Sequence, residues 1–196
     1  MQGSVVSAPS PGKIILLNGA SSAGKSTLAK GLQDQLDQPF WHFSIDHLIA
    51  ANMHPHQRAD NAAFSWRMLR EPFFSGFHHC LPALARTGNN LIVEHIIETR
   101  AWMDRLLQLL DRHDVFFVGV HCNLPELESR EQQRGDRRIG EARADFEITH
   151  TFGQYDFEID TSAASLTDNV QTIIAAWHAR RQPSAFDRMC QQRSTC

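Results

Sequence analysis

The sequence predicts a three-layer α/β fold in which a five-stranded parallel sheet carries helices on both faces. Three observations lead there. Short apolar runs alternate with longer stretches whose apolar residues recur every three or four positions, the pattern of strands and helices taking turns around one sheet. Four of the five runs are apolar almost throughout, as suits strands buried on both faces. The first run leads straight into Gly19-Ala20-Ser21-Ser22-Ala23-Gly24-Lys25-Ser26-Thr27, which completes the pattern G-x-x-x-x-G-K-[ST].

The first unit sets the terms for the rest. Lys13 to Asn18 reads as a buried strand, and Leu28, Leu32 and Leu36, with Ala29 beside them, mark one face of a helix. Strand, glycine loop and helix, in that order, are the setting in which the pattern binds phosphate. The glycines and small residues let successive N–H groups from Ala20 to Ser26 turn inward towards phosphate oxygens. Lys25 brings an ammonium to the outer phosphates, and the Ser26 hydroxyl can ligate Mg²⁺. The helix that follows aims its positive end at the same anion. Gly19 to Thr27 are therefore the candidate nucleotide site.

Pro39 ends the first helix, and Phe40 to Ile45 reads as a second strand closed by Asp46. In open parallel sheets functional residues gather at the carboxyl ends of strands, which places Asp46 on the loop's edge. The competing reading makes Asp46 the cap of a helix beginning His47-Leu48-Ile49-Ala50. From His47 to Cys80 the chain is irregular and aromatic. Trp66, Leu69 and Phe73 share a helical face, either as a cover over the core or as the wall of an acceptor pocket. Its histidines lack the H-E-x-x-H spacing of a zinc site. A helix ends near Ala85, before Gly88-Asn89-Asn90. Asn90 to Glu94 is the third strand, and Glu94 stands where a Walker B carboxylate supports Mg²⁺; a plain surface carboxylate is the alternative.

Trp102, Leu106, Leu109 and Leu110 mark the next helix, and Asp114 to His121 the fourth strand. Arg130, Arg134, Arg137 and Arg138 follow it. They are either a solvated face or, at the place where nucleotide kinases carry a lid, arginines that close over the phosphates. Tyr155, Phe157 and Ile159 alternate with acidic residues in a fifth strand. Val170, Ile173, Ile174 and Trp177 form the last helical face, with Ser165 and Asp168 set like a capping box. Residues 1–12 are expected to form a flexible leader, 13–180 a single domain with a lid around 130–145, and 181–196 a loose tail.

A chain of 196 residues suffices for one core and is short for two domains. Its 42% apolar and 21% charged residues are ordinary for a globular protein, and a net charge of −3 speaks against a nucleic-acid or membrane-surface role. Cys80, Cys122, Cys190 and Cys196 form no C-x-x-C pair. That leaves neither a zinc nor a disulfide framework and points to reduced thiols in the cytoplasm. No apolar run approaches a membrane span. Oligomeric state stays open, a homo-oligomer included.

Several stretches together resemble one family, over most of Ile14 to Trp177. They are Asn18 to Ser26, Phe43-Ser44-Ile45-Asp46-His47-Leu48-Ile49, Val118-Gly119-Val120-His121-Cys122 with Arg130-Glu131 and Arg134-Gly135-Asp136-Arg137, and Tyr155 to Thr161. In this order they are similar to the chloramphenicol phosphotransferases. The resemblance implies a P-loop kinase that moves the γ-phosphoryl of ATP, with Mg²⁺, onto a hydroxyl of a small molecule. It also implies Asp46 as general base. Lys25 and Arg137 complete the catalytic set, Arg134 closes on the nucleotide, and Ser26 and Glu94 support the metal. Two stretches depart from the family pattern. The region His47 to Asn89 is more compact, and the third strand ends in Glu94-His95 rather than paired aspartates. A nucleic-acid end kinase and an ATPase or switch without an acceptor are the rival readings of the same loop.

Overall fold

In the computed structural model, which describes residues 10–56, 58, 60–135 and 139–194, five strands pair in parallel. They are Ile14–Asn18 (β1), Phe40–Ser44 (β2), Asn90–His95 (β3), Val115–His121 (β4) and Phe157–Asp160 (β5), in the order β2-β3-β1-β4-β5. The helices are Lys25–Gln35 (α1), Ile45–Ala50 (α2), Trp66–Arg86 (α3), Arg100–Leu109 (α4), Leu124–Arg134 (α5), Glu141–Ile148 (α6), Leu166–His178 (α7) and Ala185–Ser194 (α8). The expected α/β architecture, a five-stranded parallel sheet between helical layers, is the one observed.

Strand periodicity divides the core. Side chains alternate across a sheet, so Ile15 and Leu17 of β1 join Ile92, Phe116 and Val118 on one face, under α1 and α7. Ile14 and Leu16 join Leu91, Val93, Val115 and Phe117 on the other, under α3, α4 and α8. The central strand faces both layers, and Ile14 to Leu17 are fully buried. After β1 the chain moves out to β2, returns through β3 to β1's side, then crosses to β4. That change of direction leaves a crevice at the carboxyl end of β1, the usual place for ligands in such sheets.

Three local expectations are corrected. The second strand stops at Ser44, one residue early, because Ser44 is itself the cap of α2: its hydroxyl accepts the His47 N–H at 3.2 Å. Asp46 therefore lies inside the first turn of a helix and is neither a strand end nor the cap. The stretch expected to be a loose tail contains α8, whose Ala185, Phe186 and Met189 are buried against the sheet. Its start is fixed by Asp156, which accepts the Ala185 N–H at 2.6 Å on one oxygen and the Phe117 N–H at 2.8 Å on the other. Asp156 is thereby occupied before β5 begins, so the fifth strand opens at Phe157 rather than Tyr155. Of the expected leader, residues 1–9 lie outside the described residues; Gly12 donates its N–H to Ala85 O at 2.7 Å. Among the described residues no helix is long and apolar enough to cross a membrane.

Candidate active site

The loop between β1 and α1 is shaped by two glycines. A Cβ on Gly19 would lie 2.4 Å from the Val120 carbonyl oxygen, so only glycine lets the loop leave the sheet this close to β4. Gly24 has φ 87° and caps α1 in the left-handed region that glycine adopts without strain. Lys25 is buried, and its Nζ donates to the Gly19 and Ala20 carbonyls, each at 2.7 Å. The ammonium is thus held against the loop it would serve. Above it opens a cavity of about 560 Å³, lined by Ser21, Ser22 and Gly24 to Thr27 of the loop, by Asp46, Glu94, Arg130 and Arg134, and by residues at the start of α7.

Glu94 occupies the floor. Ser26 Oγ donates to its Oε2 at 2.8 Å, and the His42 ring bonds its Oε1. Burial pushes the Glu94 carboxyl up, but the His42 hydrogen bond, the Lys25 charge and the Ser26 hydroxyl together bring it below its ordinary value. An ionised carboxylate beside a hydroxyl is a donor set for a hard cation such as Mg²⁺, which prefers oxygen. Among the described residues no group of three or more His, Cys, Asp or Glu could hold a metal by itself. His95, the next residue, points to the opposite face of β3, as strand alternation requires. Its Nε2 lies 2.6 Å from that of His78 among Phe74, Phe77 and Trp102. Burial drives the His95 imidazole well below its usual value, so it stays neutral. The departure from paired aspartates leaves Glu94 as the strand's carboxylate at this cavity.

Asp46 is exposed on the cavity wall. Arg134 lines the same cavity from the last turn of α5. Arg137 and Arg138 lie outside the described residues. Arg130 donates to Glu126 at 2.8 Å and to the hydroxyl and carbonyl of Thr161 at 3.2 Å. Thr161 in turn donates to the Ala23 carbonyl at 2.9 Å, tying the loop to the end of β5.

With this geometry in hand, similarity to known proteins is informative. The model of the chloramphenicol phosphotransferase-like family matches residues 12–178. The chain belongs to that family. Two proteins from Mycobacterium tuberculosis strains, H37Rv and CDC 1551, that carry a provisional O-phosphotransferase name are each 32% identical over 91% of this chain and 88% of their own. Among solved structures, the M. tuberculosis APS kinase CysC in complex with AMPPNP and APS superposes with a TM-score of 0.61 at 20% identity, over 87% of this chain and 99% of that one. A gluconokinase from Sinorhizobium meliloti gives 0.57 at 16% identity, over 95% and 98%. At those identities the likeness concerns the fold.

Around the shared site this member of the chloramphenicol phosphotransferase-like family has contacts that sequence reading missed. Asp145 of α6 accepts the Ser21 N–H of the loop at 3.0 Å. Buried Glu131 of α5 accepts the N–H groups of Gly140 and Ala142, both at 2.8 Å, and so joins α5 to α6. Asn18 accepts from Ile97 N at 2.9 Å, which fixes its amide group as donor to Thr149 O at 2.9 Å and to the Tyr155 hydroxyl at 2.8 Å. The Tyr155 hydroxyl, already accepting, donates to His150 Nδ1 at 2.7 Å. The sequence signal was the acidic content of residues 130–145, and composition does not say which partner each acid will find.

Proposed function

We propose that this member of a phosphotransferase family is an ATP-dependent kinase that moves the γ-phosphoryl group onto a hydroxyl of a small molecule. The observation that carries the reading is that one cavity brings Lys25 and Ser26 of the loop, Glu94 of β3 and Asp46 of α2 to common walls. The family and its relatives named for O-phosphoryl transfer support it, and so does the kinase fold of the structural neighbours.

Backbone N–H groups between Ala20 and Ser26, apart from the Ser21 N–H that Asp145 accepts, hold the phosphates together with the Lys25 ammonium. Ser26 and Glu94 would hold Mg²⁺, which would supply positive charge to neutralise the phosphates. The acceptor oxygen attacks the γ-phosphorus as the bond to the departing ADP oxygen breaks, and Asp46 takes the hydroxyl proton. Arg134, with Arg137, screens the charge that develops. The acceptor lies against the compact stretch between His47 and Cys80, where the rings of His54, Trp66 and Phe73 pack at 6.0 to 6.1 Å. Chloramphenicol is the first acceptor to try. Free Cys80, Cys122 and Cys190 suit a cytoplasmic setting.

The test is transfer of labelled γ-phosphate to chloramphenicol, its deoxy analogue, nucleosides, aminoglycosides and short oligonucleotides. A hydroxylated small molecule is expected to be labelled. Asp46→Asn, which keeps shape and removes the base, is expected to lower kcat by about 10² to 10⁴ with ATP affinity nearly unchanged. Labelling of oligonucleotides alone would overturn the small-molecule acceptor, and a fully active Asp46→Asn would remove Asp46 from the mechanism.

A further inference from the structure

Glu94 is gripped on both oxygens, and the two grips differ in origin. Ser26, on Oε2, belongs to the phosphate loop. His42, on Oε1, belongs to β2 and to no part of the loop pattern. The sheet brings it there. β2 and β3 pair with Ser44 opposite Glu94 and His42 opposite Ile92. Alternate side chains share a face, so His42 stands diagonal to Glu94 on the side turned to α1, within reach of a long side chain. The two side chains are 7% and 8% exposed, where a hydrogen bond is stronger than in water. The His42 ring is also braced edge-on against His47, centroids 4.4 Å apart.

The donor directions can be assigned. An ionised Glu94 only accepts, so His42 Nε2 carries the proton and donates. Ser26 spends its single proton on Oε2, which leaves its lone pairs for another partner. Glutamate has one more rotatable bond than aspartate, and a carboxylate of that length with one anchor would swing. The second anchor removes that freedom.

We propose that His42 is a positioning residue for the Ser26–Glu94 pair: by holding Oε1 it fixes the carboxylate, turns the Ser26 lone pairs to the nucleotide-bound cation, and so sets the affinity for that cation. This rests on the reading of Ser26 and Glu94 as the metal-facing pair. His42 itself touches neither metal nor substrate.

The experiment is titration of Mn²⁺, followed by its electron paramagnetic resonance signal, into the full chain saturated with a non-hydrolysable ATP analogue. It compares wild type, His42→Ala, His42→Gln and Glu94→Gln, each with a melting curve. Losing a group that orients a metal ligand costs about 10- to 100-fold in affinity, and His42→Ala is expected to fall in that range. His42→Gln, whose amide can donate to the same oxygen, is expected to recover most of it. Analogue affinity without metal is expected to stay at the wild-type value in both. Wild-type Mn²⁺ affinity in His42→Ala, with Glu94→Gln impaired, would overturn the role of His42 alone. Wild-type affinity in Glu94→Gln would overturn the metal reading beneath it. Equal losses in both His42 variants, matched by equal drops in melting temperature, would reduce His42 to a packing residue.

Discussion

Lys25 shows how a residue's surroundings decide what its loss does. Its ammonium has two carbonyl partners in the loop at 2.7 Å, and it is buried, yet it belongs to neither apolar cluster of the core. Hydrogen bonds to charged groups are worth about 1.5–3 kcal/mol each. Lys25→Ala is therefore expected to weaken binding of an ATP analogue with Mg²⁺ by about 10- to 100-fold or more. Calorimetric titration checks this, and a melting curve close to wild type is expected alongside. Residues of this kind were legible because their chemistry is contiguous: four fixed positions within Gly19–Ser26 declare the loop. His42 and Asp145 were not. Their partners, Glu94 and Ser21, lie far off in sequence, and only strand register and the packing of α6 against the loop bring them together.

At the scale of elements, the stretch between α6 and β5 is fastened to the central strand, with Asn18 donating to the Thr149 carbonyl and the Tyr155 hydroxyl, which in turn bonds His150. That fastening has a pH dependence whose sign follows from the donors. His150 Nδ1 accepts from Tyr155, so the imidazole must be neutral; burial, then His121 and Lys25, lower it to about 4. His78 is likewise lowered to about 4, by burial first and then Arg105. Both histidines refuse a proton in the fold that they take up near 6.5 when unfolded. Their contribution is thus complete above pH 6.5 and is lost as pH falls towards 4. The melting temperature is expected to decline across that window, and His150→Asn to flatten the decline in part, as thermal scans at stepped pH would show. The strands themselves were legible to within a residue or two, since apolar runs of this length have few other uses. The start of α2 was not, because Ser44 is equally at home ending a strand and capping a helix.

Across the whole molecule, the layer formed by α3, α4 and α8 depends on a segment that composition disguised. Gln191, Gln192 and Arg193 make the C-terminal stretch look polar, and the apolar stripe is only Ala185, Phe186 and Met189. Phe186 is 1% exposed and meets Phe117 edge-on at 5.3 Å. Truncating a buried phenylalanine costs about 3–5 kcal/mol, a large share of the roughly 5–15 kcal/mol that stabilises a domain. Phe186→Ala is expected to lose stability on that order in urea unfolding, with ATP-analogue affinity intact, because the cavity opens at the far edge of the sheet. Phe186→Leu is expected to lose much less.

One buried carboxylate has a mechanical consequence. Glu131 leaves α5 and holds the backbone of α6 at Gly140 and again at Ala142. Two parallel grips on one short span resist shear as well as separation. The two helices are therefore riveted into a single lever. Its fulcra are the places where that rivet does not reach: the entry to α5 near Asn123 and the exit from α6 near Thr149.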